Sequence, residues 1–434
     1  MMFSLDVIRA RKGDCLILHY GSEDDPRLVM IDGGPSGVYG PHLKPRLDQI
    51  RQARGLEKAE PLTVDLLMVS HVDDDHIKGI LDLTKELIEA KSAQKPQRVQ
   101  VLSLWHNSFD NIIGNTPDEL TAAFKSQFGP ASIEGQLPDD ATLDDVDEAI
   151  DEKTIFANLK VLSSIAQGAQ LRSDVENLDF PLNPEFDGEL IIAREKGEAI
   201  DMGEGLEFTV VGPMIGEVKK LHAKHQAWLK ELEKEGLSPE DVLSAYVDPS
   251  VPNLSSIVVL AEADKKRMLL TGDARGDKIL EGLELVGLLK KNGKMRVDLL
   301  KVPHHGSSNN LALDFFKRVT ADHYVFSGDG EHGNPERESL EMLLAARGNA
   351  RYTIHLTYPI DEIDSERKKD WEKEQAKEKK KKEKDPKQKV RPKWSPKKHS
   401  LAALFKDNPN FGKKVRIVEA DKPHLIDLLD EVGF

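Results

Sequence analysis

Residues 71–76, His71-Val72-Asp73-Asp74-Asp75-His76, are the most informative stretch of this chain. The apolar run at residues 64–70 predicts a buried strand before them, and residues 77–83 begin an apolar pattern at helical spacing. Imidazole and carboxylate groups are the usual ligands of zinc and related ions, and such an ion activates water at neutral pH. The hexad therefore predicts a metal site where a strand ends and a helix begins. The alternative is that its aspartates only cap the helix.

Four further segments end a predicted strand in polar side chains. Residues 28–34 end in Asp32-Gly33-Gly34, residues 267–273 end in Asp273, residues 297–307 contain His304-His305, and residues 324–329 precede His332. Any one of them has an ordinary explanation, because Asp followed by two glycines is a common exit from a strand into a turn. Four coincidences of this kind are implausible, so we predict that these side chains meet in one site.

In this order and spacing, the segments resemble the metallo-β-lactamase superfamily. The closer resemblance is to the soluble hydrolase domain of the ComEC competence protein family. It covers about residues 1–355 and depends on a set of short motifs, which are specific in combination: Gly13-Asp14, the His-x-Asp-x-Asp-His hexad at 71–76, the Asn and Ser segment at 253–256, Thr271-Gly272-Asp273, His304-His305-Gly306-Ser307, and His332 with Pro335.

The resemblance implies two divalent metal ions held by side chains of this chain. The ligands would be His71 and Asp73 for the first ion, Asp75 and His76 for the second, Asp273 as a bridge, and His304 completing the second site. Asp32 would orient a ligand through a hydrogen bond. The sequence leaves open whether His304 or His305 binds metal, and we favour His304.

The resemblance also implies catalytic roles for Asp75, His305 and His332. The two histidines would lie near the substrate as proton donors or phosphate contacts. His106 and Asn107 follow another predicted strand and are candidate substrate contacts. The alternative for His106 is a strand-end histidine beside the packed Trp105.

One departure from the superfamily pattern concerns the metals. Its third histidine before the bridging aspartate is missing, and Asn253 and Ser255 occupy that stretch. Oxygen-rich sites hold zinc less well and suit harder ions such as manganese. We therefore expect zinc or manganese, with a firmly occupied second site and an exchangeable first site.

The charge of the chain is unevenly distributed. The 434 residues include 61 Lys plus Arg and 76 Asp plus Glu, a net charge of −15. Residues 365–400 hold 16 basic and 7 acidic residues, so the rest of the chain carries −24. Such an acidic body argues against a broad nucleic-acid surface. The basic segment is either an arm that tracks phosphates, with Trp371 and Trp394 for stacking, a contact for a protein partner, or a solvated helix followed by a flexible linker. We favour the last.

Composition also bounds the class of protein. No apolar stretch approaches the ~20 residues that span a bilayer, and the N-terminal residues lack the apolar core of a signal peptide. The single cysteine, Cys15, excludes an internal disulfide framework. We therefore expect a cytoplasmic protein without membrane contact.

The predicted strands and helices indicate an α/β protein. The resemblance implies a metallo-β-lactamase-like αββα sandwich, with two sheets face to face and helices outside. We predict a hydrolase domain at 1–355 with helical insertions at about 110–200 and 217–246. The basic segment at 356–400 would be an insertion or linker. At 401–434, a strand over residues 415–418 and a short helix over residues 423–429 would complete the fold.

The predicted activity is metal-dependent hydrolysis by a hydroxide between the two ions. By analogy with the competence family, phosphodiesters come first as substrates, including nucleic acid, which makes the chain a phosphodiesterase or nuclease. The alternatives are a hydrolase of small esters or lactones and a non-catalytic metal-binding subunit of a defence or DNA-uptake assembly.

Overall fold

The computed structural model describes residues 1–107, 167–216, 256–384, 386–420 and 422–434. The predicted helical stretch at 217–246 and most of the one at 110–200 lie outside these residues, as do Asn253 and Ser255. In the described part of the chain, no helix is long and apolar enough to cross a membrane.

The strands are short, and most of their residues are buried. In chain order they are β1 (Met2–Val7), β2 (Leu16–Gly21), β3 (Pro26–Ile31), β4 (Leu62–Val64), β5 (Leu66–Val69), β6 (Val99–Val101), β7 (Leu104–His106), β8 (Ile200–Asp201), β9 (Glu207–Gly212), β10 (Val258–Ala263), β11 (Lys266–Leu270), β12 (Met295–Lys301), β13 (Val319–Phe326), β14 (Thr353–Leu356), β15 (Val415–Ile417) and β16 (Leu425–Asp427).

Several α-helices come directly after one of these strands. They are α1 (Lys44–Ala53), α2 (Asp74–Ser92), α3 (Gly276–Leu285), α4 (Leu313–Arg318), α5 (Arg337–Arg347), α6 (Ile360–Lys384), α7 (Pro396–His399), α8 (Leu401–Asp407) and α9 (Pro409–Gly412). The sequence prediction of a helix after the hexad is confirmed by α2, which begins inside the hexad at Asp74.

Two large sheets contain most of the strands. One has six strands in the order β16-β1-β2-β3-β5-β7, and the other has eight in the order β15-β14-β13-β12-β11-β10-β9-β8. Alternate side chains of a strand point to opposite faces. In β3, for example, Val29 packs in a core with residues of the second sheet, such as Met268, whereas Met30 packs in a core with α1 and α2.

A third core lies between the second sheet and its helices. It combines Leu300 of β12 with Ile279 of α3 and Phe315 of α4. The molecule is therefore layered as helix, sheet, sheet and helix, and the prediction of an α/β class is confirmed.

Parallel strands bring the chemistry to one edge of each sheet. In the first sheet β3, β5 and β7 are parallel, and in the second β11 to β15 are parallel. The carboxyl ends of parallel strands meet at the same edge. Asp32 and His71 consequently follow neighbouring strands of one sheet, while Asp273 and His304 follow neighbouring strands of the other.

Two expectations for the C-terminal part are wrong. Residues 423–429, expected as a short helix, contain β16, which pairs antiparallel with β1 and places Ile426 opposite Leu5. Residues 386–400 are not a flexible linker, since they fold back along α6. There Trp371 Nε1 donates to the carbonyl of Pro392 at 2.9 Å, and its ring stacks on His399 at 4.3 Å. Trp371 is thus engaged within the chain.

Candidate metal centre

Close backbone contacts hold the loops that carry the site. A Cβ at Gly13 would overlap the carbonyl oxygen of Asp75, and a Cβ at Gly79 would overlap that of Gly33. Asp14 N donates to the same Asp75 oxygen at 3.2 Å, and Gly33 N donates to the carbonyl of His76 at 2.7 Å. Glycine at these positions lets the loops after β1 and β3 lie directly on the first turns of α2.

The two histidines after β12 occupy an unusual backbone conformation. His304, His305 and Gly306 have φ values of 47°, 52° and 83°, all in the left-handed region. Residues other than glycine rarely adopt it, and such strain concentrates at functional sites. The bend directs both imidazole rings toward Asp273.

Asp273 is the centre of the cluster. Its Oδ1 lies 3.2 Å from His76 Nε2 and 3.3 Å from His305 Nε2. Its Oδ2 lies 3.5 Å from His304 Nε2 and 3.7 Å from His71 Nε2. Each carboxylate oxygen therefore faces two imidazole nitrogens.

Two carboxylates of the hexad, those of Asp73 and Asp75, border this arrangement. Asp73 Oδ2 is 3.8 Å from His71 Nε2, and Asp75 Oδ2 is 3.7 Å from His305 Nε2. We call the atoms around Asp273 Oδ2 the first subsite and those around Oδ1 the second subsite. All four histidine rings contribute Nε2 to these subsites.

A hydrogen-bond layer behind the cluster orients three of the rings. His76 Nδ1 is 2.8 Å from Asp32 Oδ2, to which Ser70 Oγ also donates at 2.7 Å. Because the Ser70 proton goes to Asp32, its oxygen can accept from His71 Nδ1 at 3.2 Å. His305 Nδ1 is 2.9 Å from Ser327 Oγ. Protons on Nδ1 leave each Nε2 with a lone pair directed into the cluster.

A metal ion fits these side chains. His71 Nε2, His76 Nε2, His305 Nε2 and both oxygens of Asp273 are buried, and among the described residues none forms a hydrogen bond of regular geometry, although Asp273 Oδ1 lies at ion-pair distance from His76 and His305. Buried polar atoms are normally paired. Imidazole nitrogens and carboxylate oxygens facing one another are the donor set of zinc and manganese.

The charge of the cluster points the same way. It holds five buried carboxylates, those of Asp14, Asp32, Asp73, Asp75 and Asp273, and one buried ammonium, that of Lys301. With neutral imidazoles the net charge is −4, which two divalent ions would balance.

The pKa values of His76 and His305 reflect the negative charge of the cluster. Burial alone would lower the pKa of His305, but the neighbouring Asp273 and Asp14 raise it to about 10. The pKa of His76 is likewise raised well above its ordinary value, against burial, by Asp273 and Asp32. His71 differs, because burial and the adjacent His76 lower its pKa to about 4.

All six residues predicted as metal ligands converge here. His71, Asp73, Asp75, His76, Asp273 and His304 all border the two subsites, and Asp32 lies directly behind His76. Both His304 and His305 face Asp273, so their positions allow either of them to bind a metal. His304 is 22% exposed in its side chain, whereas His305 is buried inside the cluster rather than placed toward a substrate.

Two residues of the cluster were not predicted to belong to it. Asp14 groups with His76, Asp273 and His305 within 4.8 Å of one another, although the sequence marked it only as part of a Gly-Asp motif. Lys301 ends β12 and forms an ion pair with Asp14. A lysine before a proline-containing loop carries no sequence signal of burial.

The remaining predicted residues lie around the cluster. His332 is exposed over 64% of its side chain, and its Nε2 is 3.4 Å from Lys12 Nζ. His106 is buried, with both ring nitrogens lacking a hydrogen-bond partner among the described residues. Asn107 is not available to a substrate, because its amide group pairs with both backbone groups of Ile191.

Comparisons with known proteins give partial similarities. No protein-family model matches the chain. Human microtubule-associated protein 1A is 38% identical over 76 residues, which are 17% of this chain and 3% of that protein. The Drosophila melanogaster microtubule-associated protein futsch is 47% identical over 79 residues, 17% of this chain and 1% of that protein. The chain thus spans a few per cent of the length of these curated relatives.

Among solved structures, the chain is similar to a "putative metal-dependent hydrolase" of Parabacteroides distasonis. The identity is 8% and the TM-score 0.29, with 81% of this chain and 97% of that chain covered. Similarities of this extent do not assign the chain to a family, so the chemistry of the cluster itself decides the functional conclusion.

Proposed function

We propose that this chain is a metal-dependent hydrolase with a centre of two divalent ions. The observation that carries the proposal is the convergence of the buried Nε2 atoms of His71, His76 and His305 on both oxygens of the buried Asp273 carboxylate. A purely structural cluster would normally supply a hydrogen bond to the buried His71 Nε2, which has none among the described residues.

The side chains divide between the two ions by distance. We assign His71, Asp73 and His304 to the first ion, His76, His305 and Asp75 to the second, and Asp273 to both. The nitrogen-to-oxygen distances around Asp273 Oδ2, 3.5 and 3.7 Å, exceed those around Oδ1, 3.2 and 3.3 Å. His304 is also partly exposed. We therefore propose that the first ion is held more loosely than the second and exchanges more readily. The reason is the longer distances and the exposure of His304, not the number of histidines in the site.

The chemistry belongs to the class of hydrolytic reactions. When bound, a pair of divalent ions lowers the pKa of water and neutralises negative charge that develops on the substrate. The protein's part is to hold its ligands rigidly, which the loops on α2 and the hydrogen bonds to Nδ1 atoms do. His332 is exposed and lies beside Lys12. It is the candidate to transfer a proton to the leaving group.

Phosphodiesters are the substrates that we propose first. Two adjacent ions suit displacement at phosphorus, and the sequence motifs resemble those of the competence-protein hydrolases. Next to His332, Lys12 and Arg11 both pair with Glu331, at 3.3 and 3.5 Å, so these three side chains leave a single positive charge that would favour an anionic substrate. The helix α6 contacts the loop that carries His332, since Arg367 Nε donates to the carbonyl of Gly333 at 3.0 Å. We further propose that the phosphodiester belongs to a nucleic acid, which would contact the basic C-terminal part of α6.

The test compares two neighbouring aspartates of the hexad. Asp75→Ala removes a proposed ligand. Asp74→Ala is the matched control, because Asp74 also lies in the first turn of α2 but accepts from Gln167 Nε2 at 3.0 Å, outside the cluster. Both variants and the wild type are assayed on single- and double-stranded DNA, RNA, a generic phosphodiester and a carboxylic ester, with zinc and manganese supplied separately.

We expect Asp75→Ala to lose more than about 100-fold in activity, since the loss of a ligand should exceed the effect of an outer-shell change. Asp74→Ala should stay close to wild type. Equal cutting by all three proteins would show that the activity arises elsewhere, and turnover of the ester alone would refute the phosphodiester proposal.

A further inference from the structure

Lys301 is a buried cation within the proposed metal centre. Its side chain is 1% exposed. The ammonium group forms an ion pair with Asp14, donates to the carbonyl of Gly272 at 3.1 Å, and lies 3.9 Å from Asp273 Oδ1. Burying an ammonium group is costly unless it is paired and hydrogen-bonded. A lysine in this position therefore has a specific electrostatic consequence for its neighbours.

Asp14 is the neighbour most affected. Its carboxylate is close enough to His76, Asp273 and His305 to serve as a ligand of the second ion. Both of its oxygens are occupied, however, because Oδ2 pairs with Lys301 and Oδ1 accepts from Ser327 Oγ at 2.5 Å. Asp14 is thus held behind the cluster.

The hydrogen bonds continue from Asp14 into the cluster. Ser327 Oγ donates its proton to Asp14, so it accepts from His305 Nδ1 at 2.9 Å. This chain of contacts runs from Lys301 through Asp14 and Ser327 to His305. It fixes the ring that presents Nε2 to the second subsite.

Lys301 also acts directly on the second subsite. Its ammonium is 3.9 Å from the carboxylate oxygen that His76 and His305 face. A divalent ion at that oxygen would lie near a positive charge in a buried setting, where like charges repel strongly.

We propose that Lys301 is a positioning residue that keeps Asp14 out of the ligand set of the second ion and so limits how tightly that ion is held. The inference rests on the two-ion centre proposed above. It predicts that neutralising Lys301 frees Asp14 to bind the ion and removes the opposing charge. The metal-free protein then becomes less stable, since Asp14 loses its partner, while metal binding becomes tighter.

The experiment measures metal binding, not catalysis. Lys301→Met keeps the length of the side chain without its charge, and Lys301→Gln keeps a hydrogen-bond donor, in case the methionine variant does not fold. Lys301→Arg retains the charge and serves as the matched control. Affinity for zinc is measured by competition with a chelator, and Tm is measured with chelator and with excess zinc.

We expect Lys301→Met or Lys301→Gln to bind the tighter ion at least about tenfold more strongly than wild type, with a larger zinc-induced rise in Tm. The double variant Asp14→Asn with Lys301→Met should lose most of this gain, keeping only the part due to the missing charge. Unchanged or weaker binding in the single variants would overturn the proposal. A gain that persists in full in the double variant would overturn it too, because Asp14 would then have no part in it.

The outcomes separate this inference from the function proposed above. If wild type binds zinc and the Lys301 variants do not differ from it, only the role of Lys301 fails. If wild type binds neither zinc nor manganese, the metal centre itself fails and this inference falls with it.

Discussion

Replacing Asp32 by asparagine should weaken metal binding without removing any metal ligand. Asp32 Oδ1 accepts from Ser70 N at 2.7 Å, and Oδ2 accepts from Ser70 Oγ at 2.7 Å and contacts His76 Nδ1 at 2.8 Å. The carboxylate therefore meets donors on both oxygens. An asparagine places its amide NH₂ against a donor in either orientation, so it cannot reproduce this pattern.

The magnitude follows from what His76 must do. If the NH₂ group replaces Oδ2, the favourable response of His76 is to move its proton from Nδ1 to Nε2. That proton then lies between Nε2 and Asp273 Oδ1, which are 3.2 Å apart, in the space of the second ion. Losing a hydrogen bond to a charged group costs roughly 1.5–3 kcal/mol. The expected loss of metal affinity is about 10- to 100-fold, or about 1.4–2.8 kcal/mol.

The assay is competition between the protein and a chelator for zinc, at constant pH. Asp82→Asn is the control, because Asp82 lies on the same helix α2 but outside the cluster. Thermal unfolding in chelator shows whether Asp32→Asn folds. A folded Asp32→Asn variant that binds zinc within twofold of wild type would refute the reasoning that Asp32 sets the proton position on His76.

Three further predictions concern stability and accessibility. Gly79→Ala should destabilise the protein by at least about 2 kcal/mol in urea unfolding, because its Cβ would overlap the backbone of Gly33. A change below about 0.5 kcal/mol, the size expected of a surface substitution, would contradict it. Burial, and then the adjacent His424, lowers the pKa of His355 well below its ordinary value. The folded state therefore binds fewer protons than the unfolded state, and stability is lost as the pH falls below ~6.5. Between pH 7 and 5, wild type in chelator should lose about 1 kcal/mol more than His355→Gln, and equal losses would count against this assignment. Cys15 is buried and its pKa is raised well above the usual value, so a thiol reagent should label it only after unfolding, and rapid labelling of native protein would argue otherwise.

The sequence was sufficient to predict which side chains of the hexad and of the other strand ends come together in one cluster. Strands with catalytic groups at their carboxyl ends were identified because an apolar run followed by Asp, His or Gly is readable without a partner strand. Asp32, the hexad and Asp273 all belong to this kind of pattern. Their convergence was predicted because several coincidences of this kind are implausible, and the structure supplies the reason, since parallel strands end at one edge of a sheet.

The sequence was not sufficient for features that depend on backbone conformation or distant contacts. Both His304 and His305 face Asp273 only because the two residues share a left-handed conformation, which no local preference of histidine predicts. Lysine at a strand end is usually exposed, and the burial of Lys301 involves distant contacts, including the ion pair with Asp14, nearly 290 positions earlier in the chain. Residues 423–429 were too short to distinguish a strand from a helix by periodicity.

The basic segment illustrates a different limit. Its composition predicted a solvated helix and a linker, and α6 agrees with the first part. The return of residues 386–400 depends on individual contacts, including Gln375 Nε2 to the carbonyl of Arg391 at 2.9 Å and an ion pair between Arg391 and Glu378 at 2.9 Å. Charge composition contains no information on such pairings.

The electrostatics of the cluster explain why its ligands and its ions depend on each other. Without cations, buried carboxylates can be balanced only by protons on the imidazoles or by an internal ammonium group. The raised pKa values of His76 and His305 correspond to the first solution, and Lys301 corresponds to the second. A divalent ion replaces the protons at Nε2, but it cannot replace Lys301, whose nitrogen belongs to the chain. Protons and metal therefore compete for the same imidazole atoms, whereas the lysine remains as a fixed opposing charge that the bound state must accommodate.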